Sequence, residues 1–501
     1  MQKYPDPSGL IFALPKTLSG NTLLSTFWLH FLTECLVFAC PIIRILSTLS
    51  KESFVSDKIG ADAEQDVSQT QASTQPVYDI DDLPPVREAI PLGLQHVLAM
   101  FLSNIAVPLI IATAIGLDAG GKAFLVQMAL VMAGISTIVQ SYPVGPVGAR
   151  IPIVMGTSFA FVAGIISVTN QYNLATAFGA CLVGAVVEVL IGFSYSKFRR
   201  FFPPLAAGIV VMLIGLTLVP VGMDYAAGGV GAEDYGSFVN LGIAALVFVV
   251  TLLLNQFSKG FLSYASMIIG ALVGYFVTLS IGKVDFTQVA QGAWFSLPTP
   301  LKFGLEFHLA PIITMSFIYV VSALETLGDI AGTTAAVGRV PANREMRGGL
   351  MADGVMSGLA ALFSAFPNTS YSQNVGLVNF TGVISRHVAA IGGGFLLLLG
   401  LIPKVGVAVA TIPASVIGGG ALIMFAMIFA SGLAIIQRNV ELNKRNMIII
   451  AASMALGLGV EYRPDVLQHF PQVVKTLFTQ GLVVGGLSGF LLNLIFPDKS
   501  K

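Results

Sequence analysis

The chain has 501 residues, 55% of them hydrophobic and only 10% charged, with a mean hydropathy of +0.83. A soluble domain carries about 25% charged residues to cover its surface; a chain without that cover is built for lipid. Lysine plus arginine and aspartate plus glutamate both number 26, so no basic field invites nucleic acid.

Residues 1–83 form an N-terminal extension set apart from the rest. Residues 22–43 are apolar but interrupted by His30, Glu34 and Pro41. That pattern fits a fifteenth span, an interfacial helix or a start site placed too far upstream. Residues 51–82 are polar and acidic, the composition of disorder. Cys35, Cys40 and Cys181 lie in apolar stretches and read as inert small hydrophobes, not as a disulfide framework.

A spanning helix needs about 20 apolar residues. From residue 89 onward, fourteen stretches qualify, near 89–110, 122–141, 151–168, 172–195, 203–222, 237–257, 262–281, 309–336, 346–366, 369–386, 387–402, 412–432, 445–460 and 477–496. The third and tenth are the weakest, because Pro, Gly, Ser and Asn interrupt the apolar run around 142–157 and 366–376. Irregular backbone at membrane depth is tolerated where protein shields it or where it lines a cavity. With the segment before residue 89 in the cytoplasm, cytoplasmic loops hold about twice the Lys and Arg of the opposite loops, as the positive-inside rule requires.

The fifth span opens with Pro203 and Gly208, the twelfth with Pro413 and Gly418, both 210 positions later. Gly156-Thr157-Ser158-Phe159 is echoed 212 positions later by Asn368-Thr369-Ser370-Tyr371. These landmarks predict two halves of seven spans. Seven is odd, so the second half inserts upside down, the pattern of a secondary transporter with its site at the broken helices.

Four carboxylates fall inside predicted spans: Glu188, Glu325, Asp329 and Asp353. An intramembrane carboxylate is a functional candidate by default. Glu325 and Asp329 are four residues apart and share one helical face; Asp353 is read at the mouth of the next span. Asp329 also suits a helix end near the headgroups, Asp353 a helix cap, and Glu188 a structural or lipid-edge position. His96, alone on an apolar helix, suits either a structural hydrogen bond or a ligand contact. No His/Cys metal spacing, no base beside Ser370 or Ser372 and no phosphate-binding loop occurs. No cofactor, metal or catalytic residue is therefore predicted.

Residues 373–386, from Gln373 and Asn374 through Gly376, Thr381 and Gly382 to Arg386, closely resemble the signature of the nucleobase–ascorbate transporter family, also called nucleobase:cation symporter-2. Leu324-Glu325-x-x-Gly328-Asp329 resembles the family's eighth-span motif and Ala352-Asp353-Gly354 its ninth. His96 and Gly156-Thr157-Ser158-Phe159 match positions in the first and third spans. The likeness covers about 79–498.

The resemblance implies an all-α polytopic membrane protein of fourteen helices in two inverted seven-span repeats, with short antiparallel strands in spans 3 and 10. The transporter domain, 84–498, would divide into a core of spans 1–4 and 8–11 (about 89–195 and 309–402) and a gate of spans 5–7 and 12–14 (about 203–281 and 412–496). It implies a homodimer in the bacterial cytoplasmic membrane that imports a nucleobase with a proton. Glu325 and Gln373 would bind the base by its ring N–H and C=O edges. Phe159 would stack on it, and half-helix ends beside Ser158 and Tyr371 would add backbone N–H groups. Asp353 would carry the proton, with His96 next in line, and Asn374, Gly376, Thr381 and Asp329 would support the site. Gln373 in place of Glu favours xanthine or uric acid over uracil. A uracil or broad nucleobase permease of the same family is the alternative. An anion transporter of the related seven-plus-seven fold fits less well, since it normally lacks the Glu-x-x-x-Asp pair and the Gln-Asn-x-Gly signature.

Overall fold

The computed structural model describes residues 76–198, 204–258, 261–284, 289–290 and 292–496. The apolar stretch 22–43, Cys35, Cys40 and Pro203 lie outside the described residues.

The main helices run in chain order. The first part of the chain gives α1 (Val86–Ala114), α2 (Ala119–Ser141), α3 (Val162–Gln171), α4 (Leu174–Phe193), α5 (Pro204–Thr217), α6 (Val219–Ala226), α7 (Phe238–Phe257) and α8 (Ser266–Ser280). The second gives α9 (Leu309–Ala335), α10 (Asn343–Leu362), α11 (Ser372–Thr381), α12 (Arg386–Gly400), α13 (Pro403–Ala410), α14 (Ala414–Asn439), α15 (Lys444–Tyr462) and α16 (Gly481–Ile495). Several begin where a side-chain oxygen accepts an orphan first-turn amide. Asp118 takes Gly121 N at 2.8 Å, Asn173 takes Thr176 N at 2.8 Å and Asn443 takes Asn446 N at 2.9 Å.

With α5 and α6 taken as one helix, Pro204–Ala226, seven helices among the described residues are long and apolar enough to cross a membrane, or eight if the bent pair α12 and α13 counts as one span. α8 and α16 are apolar but shorter. α10 has the length, but Arg344, Glu345 and Arg347 load its first turns with charge.

Two breaks interrupt the helical pattern. Met155–Thr157 forms β1, and a 3-10 turn, Phe159–Phe161, leads into α3. Asn368–Ser370 forms β2, and α11 follows. β1 and β2 pair antiparallel, with Met155 opposite Ser370, Gly156 opposite Thr369 and Thr157 opposite Asn368. All six strand residues are buried, so protein shields the irregular backbone.

Small residues let backbones meet. A Cβ on Gly134 of α2 would lie 2.6 Å from Gly393 O and Leu397 N of α12. A Cβ on Gly354 of α10 would lie 2.8 Å from Val189 N of α4. Fully buried aromatic rings also pack the core: Phe178 stacks on Phe366 at 5.4 Å, and Phe161 meets Tyr319 edge to face at 4.6 Å.

Three sequence-based expectations change. Asp353 is not at a helix mouth but in the middle of the 20-residue α10, fully buried. The helix starts at Asn343 because Glu345 accepts the Ala342 N–H at 2.8 Å and closes the first turn well before the apolar run. Asp353 therefore caps nothing. Glu188 is fully buried, so it does not stand at a lipid edge. Of the polar stretch 51–82, expected to be disordered, residues 51–75 lie outside the described residues, and the last part is paired: Ile384 N donates to Tyr78 O and Arg386 N to Ile80 O, both at 3.0 Å. Asp81 adds an ion pair with Arg386 at 2.7 Å.

Candidate functional site

The paired breaks place two chain reversals side by side, and a cavity of about 240 Å³ opens there. Its wall includes Thr157, Phe159, Glu325, Tyr371, Gln373 and Gly376. Each element contributes for a local reason. β1 ends at Thr157, so Phe159 enters the next turn facing the cavity. β2 ends at Ser370, so Gln373 falls in the first turn of α11. Glu325 comes from the middle of α9, and Met427 and Ser431 of α14 also line the cavity.

Glu325 and Gln373 are both half-buried. Among the described residues, neither side chain is engaged in a side-chain hydrogen bond or ion pair, so a carboxylate and an amide present unused capacity to one small space. Phe159 is held by edge-to-face contact with Phe425 at 5.5 Å. The Tyr371 hydroxyl is already committed, donating to Thr157 O at 2.8 Å across the strand pair.

The supporting residues form a tight polar frame. Asp329, 6% exposed, accepts Ser370 Oγ at 2.6 Å and Ser372 Oγ at 2.7 Å. It thereby ties α9 to both sides of the second break. Asn374 Nδ2 donates to His96 O at 2.9 Å and lies 3.0 Å from His96 Nδ1. His96 is thus joined to the signature helix and does not line the cavity. Asp353 accepts the Thr326 hydroxyl. Thr381 bonds back to Leu377 O at 2.8 Å, and Gly382 ends α11 in the left-handed conformation at φ 67°. Gly376 faces open space.

Ser158 stands at the start of a helical turn, as expected, but does not line the cavity. Its hydroxyl accepts Ala160 N at 3.3 Å and starts the 3-10 turn, and the neighbouring Thr157 lines the cavity instead. Residues that sequence reasoning passed over complete the frame: Asn104 accepts Thr157 N at 2.8 Å, and Thr326, Ser370 and Ser372 bridge the acidic helices to β2 and α11. A signal existed for the serines, which sit in the second break itself. Asn104 and Thr326 gave none beyond polarity in an apolar helix.

A second cavity, about 570 Å³, adjoins the first and shares Ser372, Gly376 and Ser431 with it. It extends to Asp329, Asn379 and Arg438.

Known proteins resemble the chain over most of its length. The xanthine permease of Bacillus subtilis is 37% identical over 415 residues, covering 83% of this chain and 95% of that protein. The uric acid transporter UacT of Escherichia coli is 34% identical over 427 residues, covering 84% and 89%. The solved transmembrane domain of a cyanobacterium bicarbonate transporter, BicA, superposes with a TM-score of 0.52 at 13% identity, over 83% of this chain and 100% of that one, a likeness of fold alone. Residues 87–466, which include both breaks, the cavity acids and the signature, match the model of the Permease family, so the chain is an integral membrane protein of that family, the nucleobase:cation symporter-2 permeases.

Proposed function

We propose that the chain is a secondary active transporter that imports a purine nucleobase, xanthine or uric acid, by proton symport across the bacterial cytoplasmic membrane. The observation that carries this reading is the convergence of Glu325 and Gln373 on one small cavity at the strand pair. A nucleobase is a flat ring edged with N–H donors and C=O acceptors. Glu325 accepts ring N–H groups, and the Gln373 amide supplies a donor and an acceptor side by side. Phe159 covers a ring face. The names of the relatives, a xanthine permease and a uric acid transporter, favour a bicyclic substrate.

In this reading the fold is fourteen spans in two inverted repeats. Three observations support it: the antiparallel pairing of β1 with β2, which inverted halves require; the likeness to the bicarbonate transporter domain; and the matching use of Gly208 and Gly418. A Cβ on Gly208 would lie 2.3 Å from Ile436 Cγ1, and one on Gly418 2.2 Å from Ala226 N, so both landmarks sit at close helix crossings. A core (spans 1–4 and 8–11) carries the site past a gate (spans 5–7 and 12–14), through which two copies pair as a homodimer. The second cavity, reaching Arg438, is then the route from the site to the cytoplasm. Asp353, buried and one helix away from Glu325, carries the proton, which leaves Glu325 ionised to receive the base.

Uptake of radiolabelled xanthine, urate, uracil, guanine and hypoxanthine by cells expressing the chain tests the reading. Saturable, uncoupler-sensitive uptake of xanthine or urate is expected. Uptake of uracil alone, or of none of the five, rejects the purine assignment.

A further inference from the structure

α4 carries one acidic residue that the transport scheme above leaves idle. Glu188 is fully buried, and neither carboxyl oxygen is reached by a donor among the described residues. Across the crossing of α4 with α10, the acidic group that acts on it most strongly is Asp353. Asp353 is equally buried; its Oδ2 accepts the Thr326 hydroxyl, and its Oδ1 has no donor.

Glycine packing forces this encounter. A Cβ on Gly354 would lie 2.8 Å from Val189 N and 2.9 Å from Ala185 O, and a Cβ on Gly192 would lie 2.8 Å from Met351 N. The backbones of α4 and α10 therefore touch on both sides of Glu188, which lies on the same helical face as Ala185 and Gly192. A carboxyl on that face has nowhere to go but against α10, and Asp353 precedes the glycine at the crossing.

The other titratable groups acting on the pair are Glu325 and Asp329 of α9, with the Tyr319 phenol of α9 beside them and Cys181 of α4 beside Tyr319. None is basic. Arg347 of α10 is turned to the Phe193 ring at the end of α4, 5.7 Å from its centroid. Two carboxylates in contact without a cation repel each other strongly in a medium of low dielectric. One proton between them removes the repulsion and turns two facing acceptors into a donor and an acceptor.

We propose that Glu188 and Asp353 form a carboxyl pair that holds one shared proton, with Glu188 completing the proton-carrying site that Asp353 begins. The inference rests on the reading of Asp353 as the proton carrier. The proton lies between Asp353 Oδ1 and a Glu188 carboxyl oxygen. On the other side of Asp353, the Thr326 hydroxyl is within 3.5 Å of Ser370 Oγ and 3.4 Å of Thr369 Oγ1, and both of those residues line the substrate cavity. The charge on the pair is thus one hydroxyl away from the cavity wall.

The test is the pH profile of purine accumulation in membrane vesicles. Glu188→Gln keeps the volume and removes the second charge, so Asp353 loses the repulsion that retains its proton. The midpoint of the profile is expected to move to lower pH by about one unit, a loss of about tenfold in uptake on the alkaline limb, with uptake at acidic pH preserved. A profile that coincides with wild type, in a variant present at normal level, overturns the pair while leaving Asp353 as sole carrier, provided Asp353→Asn abolishes accumulation. Accumulation by Asp353→Asn under a pH gradient overturns both readings. If Glu188→Gln does not reach the membrane, infrared spectra of purified wild type and Asp353→Asn decide. A buried carboxylic-acid C=O stretch at neutral pH that Asp353→Asn displaces supports the pair, and no protonated carboxyl in wild type overturns it.

Discussion

Ser370 donates to Asp329 at 2.6 Å, although 41 residues separate them in the chain. With Ser372 on the second carboxylate oxygen at 2.7 Å, Asp329 clamps the end of β2 to the start of α11. The first turn of α11 carries Gln373, so its placement depends on a carboxylate that does not line the first cavity.

Glu325→Gln preserves volume and removes the acceptor charge. Purine uptake is expected to fall by about 10²-fold or more, since hydrogen bonds to a charged partner contribute about 1.5–3 kcal/mol each and two ring N–H groups depend on them. Membrane level should stay unchanged. Uptake within twofold of wild type at equal expression would remove Glu325 from the binding site.

Gln373→Glu places a second carboxylate on the cavity that already holds Glu325. An acidic purine should then bind about tenfold or more weakly, through like-charge repulsion, and a neutral base such as hypoxanthine should lose less. Competition of labelled xanthine by unlabelled bases reads this directly. Equal losses for acidic and neutral bases would show that Gln373 acts through packing.

Asp353→Asn mimics a permanently protonated carboxyl. Exchange of labelled for unlabelled purine should persist, while accumulation driven by an inward pH gradient should be lost. Because Asp353 lies in the middle of α10, a helix-capping role does not account for such a loss.

Gly354→Leu drives a side chain into the backbone of α4, 2.8 Å from Val189 N. Overpacking of this kind costs about 1–3 kcal/mol. The midpoint of thermal unfolding in detergent should fall, and the variant should be underexpressed. Gly376→Ala, facing open space, is the control that should leave stability unchanged.

Arg386 holds the Asp81 carboxylate through a hydrogen bond and lowers it below its usual value, with Arg150 adding attraction. A carboxylate depressed in the folded state stabilises above its unfolded pKa and stops doing so as pH falls through the folded value. The tie of residues 77–82 to the end of α11 should therefore loosen only under acid, below about pH 4. Asp81 is 60% exposed, so the effect is at most about 1 kcal/mol. Proteolysis near residues 77–82 should increase in Asp81→Asn at neutral pH and converge with wild type in acid.

Membrane residence and family are legible in the residues alone. Too little charge to cover a surface leaves lipid as the solvent, and the signature from Gln373 to Arg386 is contiguous, so it is readable without coordinates. The two breaks were equally legible, because Pro, Gly, Ser and Asn interrupt apolar runs locally, and both became strands. The pairing of His96 with Asn374, 278 residues apart, joined two motif positions that sequence order kept separate. What tertiary structure decided was which polar groups meet. Asp353 looked like a helix-mouth residue because hydropathy places the span late, whereas the helix begins earlier through the Glu345 cap. Ser158 became a turn-starting residue because its hydroxyl found a local amide first. Glu188 looked solitary because its neighbours are on another helix, and only the glycine crossing of α4 with α10 brings the helix that carries Asp353 against it. Hydropathy is a property of one segment at a time. Contact between buried charges belongs to pairs of segments, and it is fixed by the small residues that let their backbones touch.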